Sequence, residues 1–298
     1  MGILFSFLTA LSFACSHIFV RKGIEKSNEK SNGLLITIVI NNLLLGFFLI
    51  VYYLLKSKHE DIYFSGILFF ILAGLLTTGF GRMVFFNAIR LINPSRASGI
   101  KNAAPIFTAL FGVFIIGEKL ENLAGIGLLI LLSALIIQGA VIFRKGDNAL
   151  SGNQEWKGYA FAILASLFFG IGQGIRKQGL LILNNPFLGA WIGSMTAFTV
   201  IIIQLFVTKQ LKQSIKINYE VLNVNFITAG ILTAVGPISF FLASSLIPVS
   251  IVGAIAASEP LFTVLISYFF FKKEKLDIYI WLIALLILVG STIIAISM

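Results

Sequence analysis

The chain of 298 residues is 58% hydrophobic and only 11% charged, with 29 Phe, 27 Gly and six Pro, and its mean hydropathy is +0.99. Soluble domains carry about 25% charged residues, and one core of this size cannot enclose so much apolar surface. The composition excludes a soluble enzyme, a nucleic-acid-binding domain, a secreted disulfide scaffold and a disordered regulator; what remains is a polytopic membrane protein. The net charge of +10 comes from 22 Lys+Arg against 12 Asp+Glu. Most of these bases fall between apolar runs, where their partners are lipid headgroups rather than nucleic acid. A single cysteine, Cys15, permits no intrachain disulfide.

A membrane-spanning helix needs about 20 apolar residues. Ten such runs follow one another: 2–20, 33–55, 64–89, 96–116, 122–143, 158–181, 187–207, 223–246, 250–271 and 277–297. Each is continuously apolar rather than alternating, so they read as helices one to ten and not as barrel strands. Run 2–20 has no basic stretch ahead of it and Arg21-Lys22 behind it, so it is expected to stay as a helix rather than act as a cleaved signal. The longest polar stretch, 144–157, is a linker between a first unit, 1–143, and a second, 158–298.

A linker at the midpoint invites a search for a repeat. A shift of 155 residues places Arg21-Lys22 on Arg176-Lys177, Phe85-Phe86 on Phe240-Phe241, Ala88 on Ala243, and Pro105-Ile106-Phe107-Thr108 on Pro260-Leu261-Phe262-Thr263. One further residue aligns Glu118-Lys119-Leu120 with Glu274-Lys275-Leu276. Five helices per half is an odd number, so the second half must enter the membrane from the opposite side. The expected fold is therefore all-α, with ten transmembrane helices in two inverted five-helix repeats, the plan by which many secondary transporters alternate access.

Phe168-Phe169-Gly170 in helix six, Glu259-Pro260 entering helix nine, and Gly117-Glu118-Lys119-Leu120 before helix five resemble the EamA-type pattern of the drug/metabolite transporter superfamily. The resemblance covers nearly the whole chain in two copies. It implies a multi-pass carrier of the cell membrane whose central cavity is lined by helices one, three, four, six, eight and nine. It names no substrate. The chain departs from the pattern in three places: Ala104-Pro105 stands where the second half has Glu259-Pro260, helix one reads Phe13-Ala14-Cys15-Ser16-His17 without tryptophan-glycine, and the embedded glutamate of small multidrug resistance proteins is missing from helix one.

Charges within hydrocarbon cost roughly 2.5–3.5 kcal/mol each on insertion scales and mark functional sites. By the run boundaries three are embedded: Arg82, Lys101 and Glu259. Glu259 is the one embedded acid, and near-equivalent places in the two halves are expected to bring it face to face with Lys101, as a substrate or proton site or as a permanent ion pair. Ser98, Lys101, Asn102 and Pro105 share one stripe of helix four by i, i+3, i+4, i+7 spacing, and Glu259, Thr263 and Ser267 share one on helix nine. Pro105 and Pro260 each free a carbonyl in the preceding turn, available to substrate or to a neighbouring hydroxyl. Arg82 is either the start of an anion-attracting face with Phe86 and Arg90 or a side chain that snorkels to the interface. His17 is a candidate proton carrier or a packing histidine. Gln173 is a candidate for hydrogen bonding to substrate. The spacings Gly170-x-x-x-Gly174 and Gly189-x-x-x-Gly193 predict close helix packing. One Cys and two His make no metal cluster, and no nucleotide-binding or hydrolase motif occurs, so neither a cofactor nor an enzyme activity is expected.

The reading is a secondary-active carrier exporting a small polar metabolite, an amino acid or related organic acid, with membrane lipids, the substrate and protons as its partners and no nucleic acid. A flippase for a lipid-linked substrate and a structural membrane subunit are the alternatives. Orientation sets two arguments against each other. Apart from Arg82 and Lys101, 15 Lys+Arg lie after odd-numbered helices and five (Lys56, Lys58, Lys119, Arg176, Lys177) elsewhere. The positive-inside rule then puts both termini outside, whereas the resemblance implies termini in the cytoplasm. From the charge count, single cysteines at Asn148 and Asn218 in a Cys15→Ser background should resist an impermeant thiol reagent applied to intact cells. Labelling from outside would reverse the orientation.

Overall fold

The computed structural model describes residues 1–27, 33–55, 63–92, 97, 100–145, 155–271 and 278–297, and these are helical with no strand among them. Helix one is Gly2–Lys26, helix two Leu34–Leu55, helix five Asn122–Lys145, helix six Glu155–Ile182, helix seven Pro186–Val207, helix eight Val224–Leu246 and helix ten Ile278–Ile296. Helix three is continuous through Phe64–Gly74, a π-helical stretch Leu75–Gly81, and Arg82–Ile92. Helix four contains Ala104–Phe111 and a π-helical end, Gly112–Ile116; helix nine has two segments, Val249–Ala256 and Glu259–Phe271. Eight helices are long and apolar enough to cross a bilayer, and the fourth and tenth runs contain shorter apolar helices, Ala104–Ile116 and Trp281–Ile296. The ten expected crossings are thus matched by eight full-length spans among the described residues.

One element was not expected. Leu211–Glu220 forms a short helix between helices seven and eight, where Leu211, Ile215 and Lys212, Lys216 repeat at four-residue spacing and divide it into an apolar and a basic face. Asn223 then starts helix eight, its Oδ1 accepting from the Asn225 and Phe226 amides at 3.0 and 3.3 Å, and Asn185 caps helix seven through the Leu188 amide at 2.9 Å.

The pairing of helices carries the repeat into space. Helix one packs on eight and helix six on three; helix one on nine and six on four; helix two on eight and seven on three. The pairs two–seven, four–nine and five–ten complete the set. Exchanging the halves maps these nine pairs onto themselves, whereas five–nine and seven–eight pack without a counterpart of similar extent among the described residues. Among the described residues, the helices of the first half pack principally on the second half rather than on one another. Apolar cores fill both lobes, around Leu131, Ile251, Ile255 and Ile294 in one and around Leu45, Phe70 and Phe241 in the other.

Glycine permits the closest crossings. A Cβ on Gly170 would stand 2.5 Å from the Ala104 carbonyl and one on Gly174 2.2 Å from the Phe111 ring, so the spacing expected to pack does seat helix four. Helices five and ten meet backbone to backbone, with the Gly290 carbonyl 2.7 Å from a Cβ built on Gly127 and the Gly127 carbonyl 2.8 Å from one built on Gly290.

Pro237 lies inside helix eight. It has no N–H to give the Thr233 carbonyl, and lipid supplies no donor. Asn41 of helix two supplies it, its Nδ2 donating to Thr233 O at 2.6 Å while its Oδ1 accepts from Ser194 Oγ of helix seven at 2.6 Å. Three helices are joined through one amide. The adjacent Asn42 donates its Nδ2 to the Ile38 carbonyl of its own helix at 2.9 Å and only distantly, at 3.5 Å, to the Ser194 carbonyl of helix seven. Asn41→Leu should therefore lower the unfolding free energy by about 1–2 kcal/mol, and Asn42→Leu by much less, in a denaturant titration of the purified protein in mixed micelles. Equal losses would show that the Thr233 carbonyl does not depend on Asn41.

Candidate functional site

Two helices are broken at matching places. In helix four Lys101 is helical, Asn102 and Ala103 form a turn, and Ala104 restarts the helix with Pro105 as its second residue. In helix nine the first segment stops at Ala256, Ala257 and Ser258 turn, and Glu259 restarts it with Pro260 second. Proline explains both breaks, because its ring removes the donor for the fourth residue back and disfavours helical backbone just ahead of it. Short-range bonds fill the gap: Ala103 N to Ile100 O at 2.9 Å, and Ser258 N to Ile255 O and Leu261 N to Ser258 O, both at 3.0 Å.

The second break presents Glu259 in the first turn of a new helix, where the dipole favours a carboxylate. Its partner is not Lys101. His17 Nδ1 of helix one stands 2.7 Å from Glu259 Oε1, with 56% of the imidazole and 20% of the glutamate side chain accessible. Ser16 aims the imidazole, since its hydroxyl bonds the Ala229 carbonyl of helix eight at 3.2 Å and so fixes the rotation of helix one. Lys101 lies within the field of Glu259 but makes no ion pair with it. Its ammonium sits 5.6 Å from the centre of the Phe85 ring and 5.2 Å from that of Phe169, where two π faces replace a counter-ion. The expected Lys101–Glu259 juxtaposition is thus corrected to a His17–Glu259 pair with an aromatic-caged lysine nearby.

The other candidates separate into groups. Gln173 faces the same interior: its Oε1 accepts from Thr108 Oγ1 of helix four at 3.0 Å and lies 3.0 Å from a Cβ built on Gly253 of helix nine. Thr263 bonds the Glu259 carbonyl of its own helix at 3.1 Å. The break in helix four divides its expected polar stripe. Lys101 meets helices three and six, whereas Asn102 lines an apolar cavity of about 240 Å³ beside Leu135, Ile136 and Gly139 of helix five, where its Nδ2 has no acceptor. Arg82 opens the last section of helix three and is partly buried. Ser98 and the side chains of Phe86, Arg90 and Ser267 lie outside the described residues.

Three embedded charges escaped the sequence reading. Arg176 and Lys177 were counted with the connections, but helix six continues to Ile182 and holds both within the bundle. Their removal leaves three lysines (Lys56, Lys58, Lys119) in the even-numbered connections, which sharpens the charge asymmetry. Lys177 Nζ donates to the Ser244 and Ile247 carbonyls at 2.5 and 3.3 Å, closing the end of helix eight. Glu118 closes the start of helix nine. Its Oε1 accepts from the Val249 amide at 2.6 Å and its Oε2 from the Ser250 amide at 3.3 Å and the Ser250 hydroxyl. Gly117 makes the reach possible, turning the chain at φ 75° at the end of helix four.

An all-helical bundle of apolar spans, two exchangeable halves and a partly accessible acid–base pair at a helix break define a multi-pass membrane protein of the transporter type. The EamA-like transporter family model matches residues 1–139 and 156–296, so the chain belongs to that family, with one copy of the domain in each half. Its members are drug/metabolite-type transporters, and this chain is a multi-pass protein of the cell membrane. A crystal structure of a protein with 13% sequence identity superposes with a TM-score of 0.71 over 99% of this chain and 96% of that one, a likeness of fold alone. No curated protein matches.

Among the described residues, Glu118 is the partner of the orphan donors at Val249 and Ser250. Glu118→Ala should cost about 1–3 kcal/mol and speed hydrogen exchange at the Val249 and Ser250 amides, while Glu118→Gln keeps part of the protection. Unchanged exchange in the alanine variant would remove Glu118 from the capping role.

Proposed function

We propose that this protein is a secondary-active carrier of ten transmembrane helices in two inverted five-helix repeats, exporting a small polar metabolite, an amino acid or related organic acid, by alternating access. The observation that carries the proposal is the His17–Glu259 contact at 2.7 Å between helix one and the break in helix nine. An imidazole and a carboxylate in contact can hold one proton or release it, and both side chains are partly accessible. The matched breaks ahead of Pro105 and Pro260 support a site between the halves, because discontinuous helices are where transporters expose backbone to cargo. In this reading Glu259 takes up a proton from one side, His17 orients it, and Lys101 in its aromatic cage sets the field in which that proton moves. No bond in the cargo is made or broken.

A flippase would show basic residues along a lateral opening. The cavity between helices four and five has an apolar lining with one asparagine amide and no basic residue. A structural subunit gains nothing from embedded charge.

Glu259→Gln is expected to abolish gradient-driven transport in proteoliposomes and to leave substrate exchange within about threefold of wild type, because exchange needs no net proton movement. Wild-type proton coupling in this variant would eliminate Glu259 as the coupling group.

A further inference from the structure

We infer that Arg176 is the anchor of a carboxylate-binding subsite between helices three, six and eight. The inference rests on the carrier reading above and names the chemical group that the carrier holds. A guanidinium has five N–H donors in a rigid fork and is always charged. In this structure one side-chain bond is given to it, from Nη2 to Thr77 Oγ1 at 3.0 Å. Its plane approaches the rings of Phe240 and Phe241 at 5.7 Å each. Among the described residues no carboxylate pairs with it, and its side chain is nevertheless partly accessible. A purely structural arginine at this depth would be expected to use its fork on a carboxylate or on helix-end carbonyls, as Lys177 beside it does.

Among the described residues, the neighbours take up one N–H of the fork. Thr77 lies in the π-helical stretch of helix three, a distortion that recurs at functional sites. Its hydroxyl proton goes to the Ala73 carbonyl at 2.8 Å, which leaves its oxygen free to accept from Arg176. Gly172 lets helix six come this close, since a Cβ there would stand 2.5 Å from Thr77 Cγ2. Phe169, Gln173 and Arg176 follow i, i+4, i+7 on helix six and share one face. The face runs about 10 Å, from the cage of Lys101 to the guanidinium. The spare N–H pairs suit a planar, bidentate acceptor. One fixed positive charge among phenylalanines balances a single negative charge, which selects a carboxylate over a phosphate dianion.

The test is counterflow in proteoliposomes with a panel of amino acids and short organic acids, each beside its own primary amide, for wild type, Arg176→Gln, Arg176→Lys and Thr77→Val. Wild type should prefer the acids, and Arg176→Gln should lose about 10- to 100-fold in apparent affinity for them. Arg176→Lys, which keeps the charge without the fork, and Thr77→Val, which frees the fork to swing, should each lose part of it and carry the test if the glutamine variant does not fold. Variants that keep wild-type preference for acids, or a wild type that takes amides equally well, overturn the subsite and leave the carrier standing. A wild type that moves none of the probes in either form overturns both.

Discussion

Every backbone polar group inside a bilayer must find its partner within the protein, and this chain breaks its helices at several points where that rule is hardest to meet. Short-range backbone bonds bridge the breaks ahead of Pro105 and Pro260, and side chains from elsewhere serve three further points. Asn41 serves the carbonyl that Pro237 leaves without a donor. Glu118 and Lys177 close the two helix ends that face each other at residues 247 and 248. The donors and acceptors come from helices two, four and six, and two of the three reach across from the first half to the second. The same bonds that satisfy the backbone therefore bind the halves together. Apolar packing alone distinguishes poorly between helix neighbours in lipid, because tails and side chains are equally greasy; these few polar contacts add geometric specificity.

Against that frame of satisfied groups, the interior keeps a small set of charges whose needs are met differently. Glu259 has a helix start and an imidazole, Lys101 has two aromatic faces, and Arg176 has one hydroxyl and two rings. Aromatic faces offset part of a cation's desolvation without neutralising it. The bases remain electrostatically available while the acid is already engaged. The field inside the bundle is accordingly positive near helix six.

What could be read from the sequence followed from length and local chemistry. Runs of about 20 apolar residues, the repeat offset, and prolines at matching positions gave the helices, the halves and the two breaks. What could not be read depended on partners far apart in the chain. The i, i+3, i+4 stripe placed Asn102 beside Lys101, but the turn at Asn102–Ala103 rotates them to different neighbours, helix five for one and helices three and six for the other. Pairing Lys101 with Glu259 assumed that opposite charges choose each other; an aromatic cage and a nearer histidine were the competitors. Arg176 and Lys177 fall inside run 158–181 but close to its end, so they were counted with the connection, whereas in the fold Arg176 reaches Thr77 of helix three and Lys177 the end of helix eight. The short helix Leu211–Glu220 was hidden by its polar average, since its apolar face is narrow.

The interlocked packing has a consequence for how the protein is made. Helix one leaves the ribosome well before Val224–Leu246, the helix on which it packs. At about 5–20 residues per second, the interval from residue 26 to residue 224 lasts about 10–40 s. During that time the buried hydroxyl face of helix one, Ser6, Thr9, Ser12 and Ser16, has no helix eight to meet. Ser6 and Thr9 fall back on the carbonyls of Gly2 and Phe5 at 2.9 Å, so the newborn helix is chemically content in lipid while it waits. In the folded chain Thr9 keeps its own-helix bond and adds a contact with the Gly236 carbonyl of helix eight at 3.4 Å, one that a half-made chain makes only when the late helix arrives.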